Sequence, residues 1–379
     1  MIYLDNAATT PPCAAALRAA MTSIEAYGNP SSLHFMGLAA EKTIETARRT
    51  IAKAINAKPS EIFFTSGGTE ANNLAIFGGT KIHNGAIVTT AAEHPSVAEA
   101  VKEQTQRGFS VLHVEHIGGV INEISLKEAL KQPVSVASIH HVNNETGVEQ
   151  DITVLGKIIK EANPHTLFHV DGVQSFCKIP IDVNAMNIDL LSLSAHKIGG
   201  IKGCGALFVR EKVNVKPMIV GGGQEGNLRS GTENVPGIAA FSVAVDNAFQ
   251  SMQKNFKHVQ TLKENFFTRI DAIGGVFTNG ENAVPYILNI SIDGIRPEVL
   301  LNALSAKGVC ISAGAACSSN KRQKEDESAV LRSYGLSVER AKTAVRISFS
   351  PQNTIEEVTT AAEIFIDCVS ILRNIRKIR

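Results

Sequence analysis

The sequence predicts an α/β fold in two parts: a large domain with a mainly parallel, mixed sheet between helices, and a smaller α+β domain. Three observations carry this expectation. Strand and helix patterns alternate through roughly the first 250 residues. Several strands are unbroken apolar runs, such as Val134-Ser-Val-Ala-Ser-Ile139 and Leu190-Leu-Ser-Leu193, which suits burial on both faces. The 379 residues also exceed what one core comfortably holds. The division expected is 15–251 for the large domain, with 252–379 and 1–14 forming the small one.

Residues Gly37 to Asn56 repeat apolar positions at helical spacing, and the turn at Pro59 feeds a strand ending at Thr65. A helix follows from about Glu70, then a strand over Ala86–Thr90 and a helix from Ser96 that closes on Gly108. Further strands are expected at Val134–Ile139, Leu167–Val170, Leu190–Leu193 and Gly205–Val209. Val235 to Ile273 reads as one long helical spine, followed by strands at Ile287–Ile292 and Val345–Phe349 and two helices. The polar, highly charged stretch Ser318–Ser328 offers least for an ordered structure.

A hydrophobic content of 44%, 19% charged residues and a net charge of +1 describe an ordinary soluble chain without a general attraction for nucleic acid or acidic membranes. The basic end, Leu372 to Arg379, is read first as a solvated helix terminus, with an RNA or lipid contact as the alternative. Met1-Ile-Tyr-Leu-Asp5 lacks the basic and apolar regions of a secretory signal, and no apolar run reaches membrane-spanning length. The six cysteines (Cys13, Cys177, Cys204, Cys310, Cys317, Cys368) are scattered without a Cys-x-x-Cys pair. That fits neither a disulfide framework nor a metal site, so a cytoplasmic protein without metal is expected.

Ligands of open α/β sheets bind beyond the carboxyl ends of the strands. There the sequence places Ser66-Gly-Gly-Thr69, Glu93-His94, Asn143-Asn144, Asp171-Gly-Val-Gln174 and Ser194-Ala-His-Lys197. Ser66-Gly-Gly-Thr69, between a strand and a helix, is either a structural turn or a cradle for a single phosphate. Asp171 is either a cap or a buried carboxylate in need of a cation. Lys197 stands where desolvation would make it nucleophilic towards a carbonyl. Phosphate cradle, amine and acid together are what pyridoxal 5'-phosphate requires, with the imidazole of His94 available to stack on the ring.

These residues resemble the cysteine desulfurases, within the class V aminotransferase family of fold-type I pyridoxal-phosphate enzymes. The resemblance runs nearly end to end through Tyr3-Leu-Asp-Asn-Ala-Ala-Thr-Thr10, Gly28-Asn-Pro-Ser-Ser-Leu-His34, Thr65-Ser-Gly-Gly-Thr-Glu-Ala-Asn-Asn73 and Glu93-His94. It continues through His141-Val-Asn-Asn-Glu-Thr-Gly147, His169-Val-Asp-Gly-Val-Gln174, Ser192-Leu-Ser-Ala-His-Lys197, Arg229-Ser-Gly-Thr232 and Ser312-Ala-Gly-Ala-Ala-Cys-Ser318. It implies that Lys197 is the Schiff-base lysine, Asp171 the partner of the pyridine nitrogen and Gln174 a donor to the phenolic oxygen. His94 would stack and act as acid or base, while Gly68, Thr69, Ser194 and His196 hold the phosphate. Thr232 would complete the phosphate site of a neighbouring subunit, implying a homodimer. Asn144 and Arg346 would orient the substrate, Arg346 through its carboxylate.

The reaction implied converts L-cysteine to L-alanine and leaves a persulfide on Cys317. An isolated cysteine is more often buried filler, and Cys13, Cys177, Cys204, Cys310 and Cys368 keep that reading; Cys317 differs because a polar, highly charged segment follows it. A sulfur-acceptor protein, either an iron–sulfur scaffold or a tRNA-thiolation enzyme, would take the sulfur, with no direct nucleic-acid contact. The segment after Cys317 resembles the longer-loop desulfurases, although Lys321-Arg-Gln-Lys-Glu-Asp-Glu327 departs from their common pattern. A selenocysteine lyase, or another lyase or aminotransferase on the same scaffold, is the alternative.

Overall fold

The computed structural model describes residues 1–80, 85–313 and 329–378. In chain order its strands are β1 (Ile2–Tyr3), β2 (Ile62–Thr65), β3 (Ala86–Thr90), β4 (Val111–Val114), β5 (His116–Ile117), β6 (Val120–Ile121), β7 (Val134–His140), β8 (Leu167–Asp171), β9 (Leu190–Ser194) and β10 (Gly205–Val209). After them come β11 (Val276–Thr278), β12 (Ile287–Ile292), β13 (Val309–Cys310), β14 (Ser312–Ala313) and β15 (Ala344–Ser348). The helices are α1 (Ala14–Glu25), α2 (Phe35–Ala54), α3 (Gly68–Gly79), α4 (Pro95–Gln106), α5 (Glu123–Ala129), α6 (Ile152–Ala162), α7 (Val235–Gln250), α8 (Met252–Asp271), α9 (Pro297–Ala306), α10 (Ala329–Ser333), α11 (Val338–Ala341) and α12 (Ile355–Ile378).

The main sheet has seven strands in the order β2-β10-β9-β8-β7-β3-β4. Pairing is parallel from β9 through β4, and β10 is antiparallel to both of its neighbours. The expected mixed, mainly parallel sheet is therefore what forms. The exception has a simple cause: only residues 195–204 join β9 to β10, too few for the crossover that a parallel partner needs. Because two antiparallel steps cancel, β2 runs with the parallel set. The carboxyl ends of β2, β3, β7, β8 and β9 thus share one edge. Every residue of β3, β7, β9 and β10 is buried, as their apolar runs predict.

The expected single spine is two helices. They break at Ser251, at φ −100° and ψ 5°, whose N–H turns back to the carbonyls of Asn247 and Phe249. The two helices serve different cores. α7 buries Val235, Ile238, Phe241 and Val245 against the large sheet. α8 buries Val259, Leu262, Phe266 and Ile270 beneath the antiparallel sheet β11-β12-β15-β14, together with α12. One straight helix cannot follow both surfaces. The N-terminal segment also joins the second core through Leu4 and Ala7, and Asn6 Nδ2 donates to the Ser348 carbonyl at 2.9 Å.

Candidate active site

The turn from β2 into α3 is made of Ser66, Gly67 and Gly68, and its N-cap, Gly67, has no side chain to satisfy the first-turn amides. Gly68 is required by close approach. A Cβ there would lie 2.6 Å from Val173 Cγ2 and 3.7 Å from Ser194 Cβ, so this turn sits directly against the ends of β8 and β9. Ser194 Oγ is buried without a hydrogen-bond partner among the described residues. His196 is near it in a single 3-10 turn over Ala195–Lys197, its Nδ1 3.1 Å from Thr9 Oγ1. Burial first, and then Lys197, lowers its pKa to about 4, so the ring is neutral at neutral pH. Bare helix amides, an orphaned hydroxyl and a neutral imidazole fit a phosphate monoester.

Asp171 ends β8 and is buried. Its Oδ1 accepts from the Val173 amide at 3.0 Å and its Oδ2 from Asn72 Nδ2 at 2.8 Å. The same Asn72 Nδ2 donates to Ser96 Oγ at 2.8 Å, and Ser96 Oγ lies 2.7 Å from His94 Nδ1. The Ser96 amide also donates to that nitrogen at 3.1 Å, which assigns the ring proton of neutral His94 to Nε2. His94 is the N-cap of α4. Burial is the main cause holding it below the ordinary imidazole value, with Lys197 adding to the effect and Asp171 opposing it. A carboxylate held by neutral N–H donors suits a cationic ring N–H on its open side.

Lys197 completes the turn after β9. Its Nζ donates to the carbonyls of Ala7 at 2.6 Å and Ala8 at 2.7 Å. Gln174 Nε2 donates to the same Ala7 carbonyl at 2.9 Å. Arg346, on β15, is buried; one amino group donates to the Asn144 carbonyl and the other pairs with Asp5 Oδ1, both at 2.8 Å, while Nε is buried without a partner among the described residues.

The structure thus gathers Gly68, His94, Asn144, Asp171, Gln174, Ser194, His196, Lys197 and Arg346 around one edge, with Thr69 lining a groove shared with His94. Thr232 is exposed elsewhere, in a depression with Thr65, Ser66 and Gly203. Arg229, in the same Arg-Ser-Gly-Thr segment, ties that loop to the first turn of α3 through Glu70 Oε1 at 2.9 Å. Cys317 lies outside the described residues. Asn72, Ser96, Asp5 and Lys178 were missed by sequence reasoning. The repeated Asn in Asn72-Asn73, mid-helix where asparagine is a poor former, was the one signal for Asn72.

Fold and site define a pyridoxal-phosphate-dependent α/β enzyme. The aminotransferase class-V family model matches residues 2–360, and the chain belongs to that family, whose members depend on this cofactor. The chain is 40% identical to "Cysteine desulfurase IscS" of Rickettsia conorii (strain ATCC VR-613 / Malish 7) over 385 residues, covering 99% of this chain and 92% of that relative. A solved NifS-like protein superposes with a TM-score of 0.91 at 34% identity, covering 98% of this chain and 99% of the other. SspA, solved in complex with cysteine, superposes with a TM-score of 0.82 at 34% identity, covering 93% of this chain and 100% of the other.

Proposed function

We propose that the chain is a pyridoxal-phosphate-dependent cysteine desulfurase that converts L-cysteine to L-alanine and leaves a persulfide on Cys317. The observation that carries this is the placement of Lys197 at the end of β9, held by Ala7 and Ala8 opposite a buried, hydrogen-bonded Asp171. The desulfurase relatives similar over almost the whole chain add the reaction type.

In this reading Gly68, Thr69, Ser194 and His196 hold the phosphate, Asp171 holds the ring nitrogen, Gln174 the phenolic oxygen, and His94 stacks on the ring. Bound there, pyridoxal phosphate would supply an aldehyde for the substrate amine and an electron-accepting ring. Lys197 anchors the cofactor and takes the proton from the substrate α-carbon. Arg346 and Asn144 orient the substrate, and Arg346 has its Nε to offer a carboxylate. The Cys317 thiolate attacks the substrate sulfur, so that an S–S bond forms as the C–S bond breaks. The thiol is oxidised, and the substrate carbon is reduced and takes up a proton. In total, L-cysteine and a thiol become L-alanine and a persulfide.

Residues 15–251 are proposed as the large cofactor-holding domain, with 252–379 and 1–14 as the small one. A homodimer is proposed because α1 exposes Leu17, Met21 and Ile24 along one helical stripe, continued by Tyr27, Leu33 and Phe35. Exposed Thr232 would then reach the partner's phosphate site. A cytoplasmic setting and a protein acceptor of sulfur, for iron–sulfur assembly or tRNA thiolation, complete the proposal. Among the described residues no helix is long and apolar enough to cross a membrane.

The test is to incubate the loaded protein with L-cysteine and quantify alanine, sulfide and sulfur on Cys317. Wild type should give all three, and Cys317→Ala should lose sulfide release under a reductant. Undiminished sulfide from that variant would refute the persulfide step.

A further inference from the structure

Behind the cofactor edge lies a cavity of about 150 Å³ whose wall includes Lys178, Lys197, Ala7, Cys177 and Tyr286. Lys178 is only 8% exposed, and nothing in the proposed reaction uses it. A buried amine is costly and needs a structural or chemical reason. Two backbone hydrogen bonds, from Lys178 to the Ser175 carbonyl and from Phe176 to the Gly172 carbonyl, coil the segment after β8 so that Lys178 comes back over Gln174. Its Nζ donates to Gln174 Oε1 at 3.2 Å and sits 5.5 Å from the centre of the Tyr286 ring.

This contact fixes which way the Gln174 amide faces. The ammonium form of Lys178 can only donate, so it must meet the oxygen of the amide, and the Ala7 carbonyl can only accept, so it must meet the nitrogen. The NH2 end is thereby turned to the Ala7 carbonyl at 2.9 Å, the same oxygen that accepts from Lys197 at 2.6 Å. A flipped amide would set donor against donor at Lys178 and acceptor against acceptor at Ala7. The four groups form one chain: Lys178, Gln174, the Ala7 carbonyl, Lys197.

We propose that Lys178 is a positioning residue for the reaction, which fixes the amine of Lys197 by locking the Gln174 amide against the Ala7 carbonyl. The inference rests on the reading of Lys197 as the cofactor-binding lysine. The two amines also repel each other. Burial, then Lys197, then Arg346 bring the pKa of Lys178 down to about 7. Among the described residues, the other titratable groups around this pair include His94, His196, Asp171, Tyr286, Cys13 and Cys177. Removing Lys178 acts in one direction. Lys178, lowered by burial and by the Lys197 cation beside it, sheds its proton before Lys197 does, so its removal acts through the hydrogen bonds: the Gln174 amide is released and the Ala7 carbonyl is free to accept more strongly from the ammonium form of Lys197. This makes Lys197 hold its proton more tightly.

The experiment uses the cofactor-free full chain, with limiting acetic anhydride at a series of pH values and mass spectrometry of the Lys197 peptide. Lys178→Met should raise the titration midpoint of Lys197 by about one unit, a roughly tenfold loss of free amine below both midpoints. Lys178→Arg, which keeps a donor to Gln174 and stays charged throughout, should hold the midpoint at or below the wild-type value. Lys178→Gln keeps a donor without the charge and should fall between. It carries the test if the Met variant shows no cooperative melting. A Lys197 midpoint identical in wild type, Lys178→Gln and any folded Met variant would overturn the proposal. Alanine formation by loaded wild type, run in parallel, separates the two ideas. No alanine with a shifted midpoint sinks the reading of function, whereas alanine with an unshifted midpoint sinks the role of Lys178.

Discussion

The two walls of the site are built differently. On the cofactor side, Asp171 and His94 are joined by hydrogen bonds through the uncharged side chains of Asn72 and Ser96, between residues of α3, α4 and β8. On the substrate side, Arg346 of β15 reaches the N-terminal segment through an ion pair with Asp5 and the 144 loop through a backbone carbonyl. The first wall is fixed by groups that need no change of charge to stay in place. The second contains a charge pair whose cation retains a buried N–H that no other described residue accepts. A fixed wall suits a resident cofactor, and a wall with spare donor capacity suits a carboxylate that comes and goes.

The comparison can be broken from either side. The largest effect is expected at the junction of the walls. Lys197→Ala should lose the visible band of the loaded protein and at least ~1,000-fold in alanine formation, followed by absorbance and amino-acid analysis. Next, Arg346→Lys keeps the charge but loses the planar fork, and should raise KM for L-cysteine by roughly 10- to 100-fold with a smaller change in kcat. If its main effect fell on cofactor affinity instead, the division between the walls would be wrong. Asn72→Ala leaves a buried carboxylate oxygen and a serine without their donor, a cost of about 1–3 kcal/mol. It should weaken cofactor retention about 5- to 100-fold, measured by dialysis and reloading, with KM little changed.

The smallest effect is on stability. Burial pulls His169 and His196 down to about 4 and His116 to about 3. The unfolded chain, with imidazoles near ~6.5, therefore binds more protons than the folded one between those values. Stability contributed by these neutral rings is complete above about pH 6.5 and is lost as the pH falls towards 4. Melting temperatures at pH 7.5 and 5 should differ in that sense. His169→Asn, which removes the fully buried ring held by Ser138 and Ser192 at 2.8 and 3.0 Å, should flatten the slope at some cost in overall stability.

Which parts were legible in the sequence follows from how local their causes are. The residues after each apolar strand could be read as the ligand edge because strand and turn are neighbours in the chain. Asp171, Lys197 and the glycine turn at Gly68 were found that way. The antiparallel β10 was readable in principle from its short connection. The bond from Asn72 to Asp171 spans 99 residues and the pair of Arg346 with Asp5 spans 341, and such partners leave no local pattern. The break at Ser251 was hidden for another reason. Helical periodicity continues through it, and only the change of partner, from one core to the other, ends the first helix.

The most direct measurement of the central claim is to load the protein with pyridoxal phosphate, reduce it with borohydride and map the modified peptide. The account predicts a single pyridoxyl group on Lys197. A label on Lys178, the other lysine of the same cavity, or on a surface lysine, would contradict it.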